Sequence, residues 1–280
     1  MKKLACFILL FLLSACSSKL AYNNVDWLIY WYLDDYIEFT DDQEEQFDGY
    51  LAAWIKWHRE EELASYVGQL KQLRQDIIAN NLTQEVVSAN FQQATEHWVR
   101  VRERISPQIA EMALVVTDEQ LIQFFAALER DNKEEEEELA EKLAMSEEKR
   151  TEDRVESIIE DLEERIGKLS AAQKALVSEY APQFVSTHAD WINYRRAIQQ
   201  ASRRLFVTRS SNQNFKSDLI HLMNNPDDFR SKQYKINREK NSALNAELIA
   251  RVAQSLSAQQ KKKLLDEIQD IIDDLEDLMD

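Results

Sequence analysis

The sequence predicts an all-α protein, an elongated bundle of about seven to eight helices, some of them long. Only three glycines and three prolines occur among its 280 residues, so residues that favour turns are rare. Apolar residues recur at the helical spacing of three and four along much of the chain. A phrase that is typical of a helix start also recurs five times.

Residues 1–15 are predicted to be a signal peptide for export. Two lysines follow Met1, and the apolar stretch from Leu4 to Leu13 is shorter than the roughly 20 residues of a membrane span. The junction "LSAC", which ends at Cys16, resembles the lipobox of bacterial lipoproteins. The alternative is an ordinary signal peptide that ends near a structural cysteine.

The lipobox resemblance implies that Cys16 carries acyl chains and becomes the first residue of the mature protein. Cys6 falls in the removed segment, so the mature chain has a single cysteine and forms no internal disulfide. Ser17 and Ser18 follow Cys16 without an aspartate. By the same resemblance, this implies sorting to the outer membrane, with the body facing the periplasm. The covalent lipid on Cys16 is the one cofactor that we expect.

Five helix starts are predicted from their capping chemistry. Each combines an apolar residue with a Ser or Thr N-cap and with acidic or amide residues in the first turn, which satisfy the orphan amide groups. The phrases are "FTDDQ" at Phe39, "LTQE" at Leu82, "VTDEQ" at Val116, "LSAAQ" at Leu169 and "LSAQQ" at Leu256. Pro107 and Pro182 lie inside otherwise helical patterns, which we expect them to kink or interrupt.

The C-terminal helix is predicted to carry a coiled-coil-like seam. Its apolar residues alternate steps of four and three without a slip. They are Leu264, Ile268, Ile271, Leu275 and Leu278. We expect this seam to pack against another helix of the same chain.

The charge balance argues against nucleic-acid binding. Acidic residues outnumber basic ones by 51 to 34, which gives a net charge of −17, whereas phosphate backbones are bound by basic surface. Many of the acids lie in a charged arm near residues 129–154, where apolar positions are sparse. We expect a protruding, solvated helix there. An acidic docking surface is the alternative.

Positive charge is concentrated on one helix near Trp191. A projection at 100° per residue places Arg196, Arg203 and Arg204 opposite an apolar face, with Arg195 at its border. These four arginines are called the arginine row. The row either neutralises the glutamates of the same chain, which we favour because opposed patches attract, or binds an external anion. Lipid phosphates and cell-wall carboxylates are the external candidates.

Residues 16–40 are predicted to contain the lipidated N-terminus and an aromatic anchor-proximal helix. Its aromatic segment comprises Trp27, Tyr30, Trp31, Tyr32 and Tyr36. In this segment, and in the helical remainder, the chain resembles a family of uncharacterised proteobacterial lipoproteins with a domain of unknown function. We favour burial of the segment in the core, because its neighbouring acidic residues would be repelled by anionic headgroups. A place in the headgroup layer is the alternative.

Residues 41–280 are predicted to form a single helical domain that binds partners and is not an enzyme. The sequence has no glycine-rich phosphate loop, and its four histidines lack the spacing of paired metal ligands. Two roles remain: an envelope scaffold that holds a protein or the cell wall, and a chaperone that shields periplasmic clients. The helix-start phrases, "VTDEQ" most closely, resemble the LTxxQ phrases of Spy-type periplasmic chaperones.

Overall fold

The computed structural model describes residues 15–279, and within that range the chain is helical with no strand. The all-α prediction is therefore confirmed. The predicted signal peptide, residues 1–15, lies outside the described residues apart from Ala15, and nothing is described of the side chain of Cys16.

The helices of the described residues are numbered α1 to α12 in chain order. They are α1 Ala15–Asn23, α2 Val25–Leu33, α3 Asp41–Trp57, α4 Leu63–Ile78, α5 Gln84–Val115, α6 Asp118–Ala144, α7 Glu147–Ile166, α8 Ala171–Tyr180, α9 His188–Val207, α10 Phe215–Asn224, α11 Lys232–Gln254 and α12 Ala258–Met279. A π-helical turn spans His58–Glu62, and 3-10 turns span Ala181–Gln183 and Pro226–Phe229. The predicted count of seven to eight helices is wrong, because residues 15–279 alone form more.

The count is underestimated because the structure divides continuous helical patterns. A π-helical turn at His58–Glu62 separates α3 from α4, and α6 ends at Ala144 before α7 begins after the Ser146 cap. Pro182 interrupts its helical pattern as predicted, within a 3-10 turn. Pro107 does not, because α5 continues through it.

All five predicted helix starts are confirmed. The helices α3, α5, α6, α8 and α12 each begin directly after the predicted Ser or Thr. In each of them the hydroxyl oxygen accepts a hydrogen bond from the backbone N–H three residues later. Capping is a local interaction, so the sequence alone was sufficient to place these starts.

The chain divides into two compact units, each built from three separate segments. Unit 1 comprises residues up to 62, 97–138 and 188–231, and unit 2 comprises residues 63–96, 139–187 and 232–280. Compactness does not decide whether two units unfold together, so the single domain over 41–280 stays a prediction.

In unit 1, α2 and α3 pack with α5 around the buried side chains of Phe47, Leu51 and Met112. A second cluster joins α5 to α10 through Ala110 and Phe215, with side chains of α9 packed against it.

Unit 2 packs α7, α8 and α11 around Leu169, Val177 and Leu248. α12 lies against α4, and Lys71 of α4 forms an ion pair with Glu276 of α12. The predicted seam therefore does pack on a helix of the same chain.

The two units share one feature. Each pairs two capped helix starts, those of α3 and α6 in unit 1 and those of α8 and α12 in unit 2. Each unit also contains helices from the other half of the chain. α4 and the start of α5 belong to unit 2, and α9 and α10 belong to unit 1.

Candidate functional site

α1, which begins next to the predicted lipidation site, is attached directly to the folded body of unit 1. The hydroxyl of Tyr22 on α1 lies 2.9 Å from Nδ1 of His58, within hydrogen-bond distance. The guanidinium of Arg59 sits 5.5 Å from the centre of the Tyr22 ring and donates to the Oδ1 of Asn23. Burial lowers the pKa of His58 and raises that of Tyr22. A lipid on Cys16 would therefore be joined to the body through a docked helix.

The aromatic segment divides between the two faces of α2. Tyr30 faces the core, where its ring meets the edge of Phe47 at 5.6 Å and its hydroxyl donates to Asp48 Oδ1 at 2.7 Å. Burial, followed by the bond to Asp48, raises the pKa of Tyr30. Trp27 and Trp31 point outward and are 62% and 56% exposed. The expectation that the whole segment is buried is wrong, because α2 presses only one face onto the core.

The other two tyrosines of the segment are connected to the arginine row through Asp131. Tyr32 donates to the Tyr36 hydroxyl at 3.4 Å, and Tyr36 donates to Asp131 Oδ2 at 2.6 Å. The same carboxylate lies 3.7 Å from Nη2 of Arg195. The guanidinium of Arg195 also lies 4.8 Å from the ring centre of Trp191. Asp131 thus connects two features that are far apart in sequence.

Arg196 is held by carboxylates of its own chain. Its Nη1 lies 3.0 Å from Glu129 Oε2, and its Nε lies 2.6 Å from Glu136 Oε1. The hydrogen bonds from the guanidinium lower the pKa of Glu129 and, reciprocally, raise that of Arg196. This is the internal pairing that we favour for the row.

The remaining arginines differ from one another. Arg203 donates to the backbone carbonyl of Phe125 at 3.1 Å, and its guanidinium lies 4.9 Å from the ring centre of that residue. Arg204 is exposed and forms no ion pair within the described part of the chain. One arginine of the predicted row therefore remains available to an external anion.

The charged arm is not solvated throughout. Asn132 and Glu135 of α6 are buried, at 1% and 3% exposure, although they lie in the glutamate-rich run. Glu135 Oε2 lies 3.0 Å from Nε2 of His188, and Asn132 donates to Gln199 Oε1 at 2.6 Å. Residues 141–149 are exposed. The expectation of a protruding, solvated helix therefore fails for the first part of the arm.

Four buried glutamines form a feature that the sequence analysis missed. In unit 1, Gln43 and Gln120 exchange two side-chain hydrogen bonds. In unit 2, Gln173 and Gln260 do the same. Each glutamine occupies the third position after a helix cap, and each Oε1 also accepts from the backbone N–H of its own cap residue.

The signal for these pairs was present in the helix-start phrases. Four phrases carry glutamine at the third position after the cap, and those four helix starts pair. The phrase at Leu82 carries Val86 there instead, and a valine side chain has no amide with which to pair.

Comparison with known proteins identifies the family. A model of a family of unknown function, DUF6279, matches residues 35–235. The chain belongs to this family. No curated protein and no solved structure matches the chain.

The DUF6279 match covers three of the four paired glutamines, since it ends before Gln260. It begins after Trp27 and Trp31, so the part of the aromatic segment that is exposed lies outside it. The resemblances to lipoproteins and to Spy-type chaperones stay predictions for this DUF6279 protein.

Within residues 15–279, no group of three or more His, Cys, Asp or Glu side chains is arranged to hold a metal ion. None of the helices described for this DUF6279 protein combines the length and the apolar character that crossing a membrane requires.

Proposed function

We propose that this DUF6279 protein is a lipoprotein, held by acyl chains on Cys16 at the periplasmic face of the outer membrane. We further propose that it acts there as a scaffold that binds another envelope component. The lipobox supports the anchor. The docking of α1 through Tyr22 and His58 supports a body that is held close to the anchor.

The observation that carries the binding role is a set of exposed apolar side chains around the turn between α5 and α6 in unit 1. Arg209 ties the end of α9 to this turn, since its guanidinium donates to Val116 O and pairs with Asp118 Oδ1 at 2.8 Å. We infer that the exposed apolar side chains next to these contacts lie together, and they are called the turn patch: Leu114, Val115, Ile122 and Val207. Val207 is 84% exposed and Ile122 is 70% exposed. Exposed apolar groups of this kind, when grouped, mark protein interaction sites.

Substitution of the lipidated cysteine tests the anchor. Two or three long acyl chains hold a protein on a membrane essentially irreversibly, since each buried methylene contributes about 0.8 kcal/mol. We expect Cys16→Ser to release the protein into the soluble periplasmic fraction, measured by cell fractionation in high salt. Retention of the substituted protein in the outer-membrane pellet would contradict the lipid anchor.

Photo-crosslinking in living cells tests the binding role. A photoreactive residue at Ile122 is expected to capture one discrete partner, which mass spectrometry then identifies. The matched control is Glu137, which is also exposed on α6 but lies fifteen residues further along that helix. Equal capture at both positions, or none at Ile122, would count against a binding surface here.

A chaperone role is the second candidate, and the same turn patch supports it, because unfolded clients present apolar segments. In that case the probe at Ile122 would capture many proteins as a ladder of adducts. Purified protein would also suppress aggregation of an unfolded client, and Ile122→Ser with Val207→Ser would weaken that suppression. A single adduct without aggregation suppression would favour the scaffold.

A further inference from the structure

We propose that the outward face of α2, formed by Trp27 and Trp31, inserts into the headgroup layer of the membrane that holds the Cys16 lipid. This inference rests on the lipid anchor of the proposed function. It assigns the two tryptophans to an interaction surface whose partner is a lipid bilayer.

The packing of unit 1 leaves the side chains of the two tryptophans exposed. They are four residues apart on one helix, so they share a face, and both are more than half exposed. The opposite face of α2 already supplies Ile29, Tyr30 and Leu33 to the core. Tryptophan is enriched where a membrane meets water, because its ring is apolar while its N–H remains hydrated.

The distance of the two tryptophans from Cys16 determines how α1 and α2 must be oriented relative to the membrane. Trp27 and Trp31 follow Cys16 by eleven and fifteen residues, which is about 16 and 22 Å of helix at a rise of about 1.5 Å per residue. The headgroup layer on each side of a bilayer is only several Å thick. A helix standing upright would carry both rings out of that layer, so the proposal requires α1 and α2 to lie along the membrane plane.

Acidic residues flank the tryptophan face, since Asp26, Asp34 and Asp35 are also exposed. Insertion is therefore expected to be shallow, with the two rings at the level of the headgroups and the carboxylates in water. The net charge of −17 also disfavours a second copy of this chain as the occupant of the face.

Fluorescence quenching in vesicles tests the proposal with the full lipidated chain. The protein is reconstituted into vesicles of phosphatidylethanolamine and phosphatidylglycerol that contain a phosphatidylcholine brominated near the headgroup. We expect the bromine to quench a clear fraction of the tryptophan emission. The double variant Trp27→Phe with Trp31→Phe should lose that quenchable fraction. Trp98→Phe, which removes an exposed tryptophan elsewhere in unit 1, should keep it.

The outcomes distinguish a failure of the proposed membrane contact of α2 from a failure of the lipid anchor. If the protein floats with the vesicles but its emission is not quenched, the anchor holds and the face proposal is overturned. If quenching persists unchanged in the double variant, other tryptophans contact the lipid and the proposal is also overturned. Failure to float at all would instead contradict the lipid anchor. A dimer in analytical ultracentrifugation that the double variant abolishes would assign the face to a second copy and overturn the membrane as its partner.

Discussion

The side-chain amides of Gln43 and Gln120 hydrogen-bond to each other in both directions. Gln43 Nε2 donates to Gln120 Oε1 at 3.0 Å, and Gln120 Nε2 donates to Gln43 Oε1 at 2.6 Å. Their second N–H groups reach the backbone carbonyls of Val115 and Glu38, each of which lies two residues before the partner's cap. The arrangement is thus symmetric in its chemistry, and it joins two helix starts that are 77 residues apart.

Unit 2 reproduces the arrangement with Gln173 and Gln260. Their second N–H groups reach Ser255 O and Lys168 O, again two residues before the partner's cap. Both glutamines are buried, so every polar atom of the pair depends on these bonds for the hydrogen bonding it would otherwise have in water. The same reciprocal pairing of two helix starts therefore occurs once in each unit.

The first prediction concerns the loss of one amide from a pair. Gln260→Leu removes both hydrogen bonds between the two amides and takes from the backbone carbonyl of Lys168 the hydrogen bond that Gln260 donates to it, which costs about 1 to 3 kcal/mol. We expect urea denaturation to show a lower free energy of unfolding by that amount. Gln259→Leu is the matched control, since Gln259 is exposed on the same helix. An equal loss in both variants would mean that the pair contributes nothing specific.

A second prediction tests whether the pairs are independent of each other. Gln43→Leu and Gln120→Leu remove two sides of one interaction, so their effects should be non-additive, with a coupling of about 0.5 to 3 kcal/mol. Gln43→Leu and Gln260→Leu share no partner, so their effects should add. A double-mutant cycle on the free energy of unfolding measures both. Additivity within the first pair would contradict the reciprocal bonds.

The sequence was sufficient for features that depend on neighbouring residues. The five helix starts were placed because a hydroxyl and an amide three residues apart form the cap without help from the rest of the fold. The seam of α12 was also found, since its spacing is a property of one helix.

Features that depend on distant partners were missed or misread. Glu135 is expected in solvent, yet it is buried. Its carboxylate lies within hydrogen-bond distance of His188, which comes 53 residues later in the sequence. Likewise, the periodicity of α2 does not show which of two apolar faces meets the core, because that depends on where Phe47 lies. The glutamine at the third position after the cap was visible four times, but its partner lies on another helix.

The third prediction distinguishes the two faces of α2. Tyr30→Ala removes the ring contact with Phe47 and the hydrogen bond to Asp48, so we expect a loss of about 2 to 3 kcal/mol in the free energy of unfolding. Trp31→Ala should change that free energy by less than about 0.5 kcal/mol, as exposed substitutions do. Urea denaturation of the purified body, without lipid, provides the measurement. Equal losses would place Trp31 in the core after all.

The last prediction concerns Arg196 and its two carboxylates. Arg196→Gln removes the charge but keeps helix propensity nearly constant. Both carboxylates are partly exposed, so each pair contributes at most about 1 kcal/mol, and we expect a total loss of about 1 kcal/mol near pH 7. Arg204→Gln is the matched control on the same helix, and it should have no effect on stability. The difference between the two variants should shrink at high salt, because exposed charges are screened.

The pH dependence of the stability lost in Arg196→Gln shows whether the charge of the arginine or its packing is responsible. Arg196 lowers the pKa of Glu129 below its usual 4.5 in the folded state, so folding favours the ionised carboxylate. This stabilisation is complete above the unfolded pKa and disappears as the pH falls through the folded pKa. The wild-type protein should therefore exceed Arg196→Gln in stability at pH 7, and the two should converge as the pH falls below the lowered pKa of Glu129. A difference that persists unchanged into acid would show that the arginine acts through the packing of its alkyl chain and not through its charge.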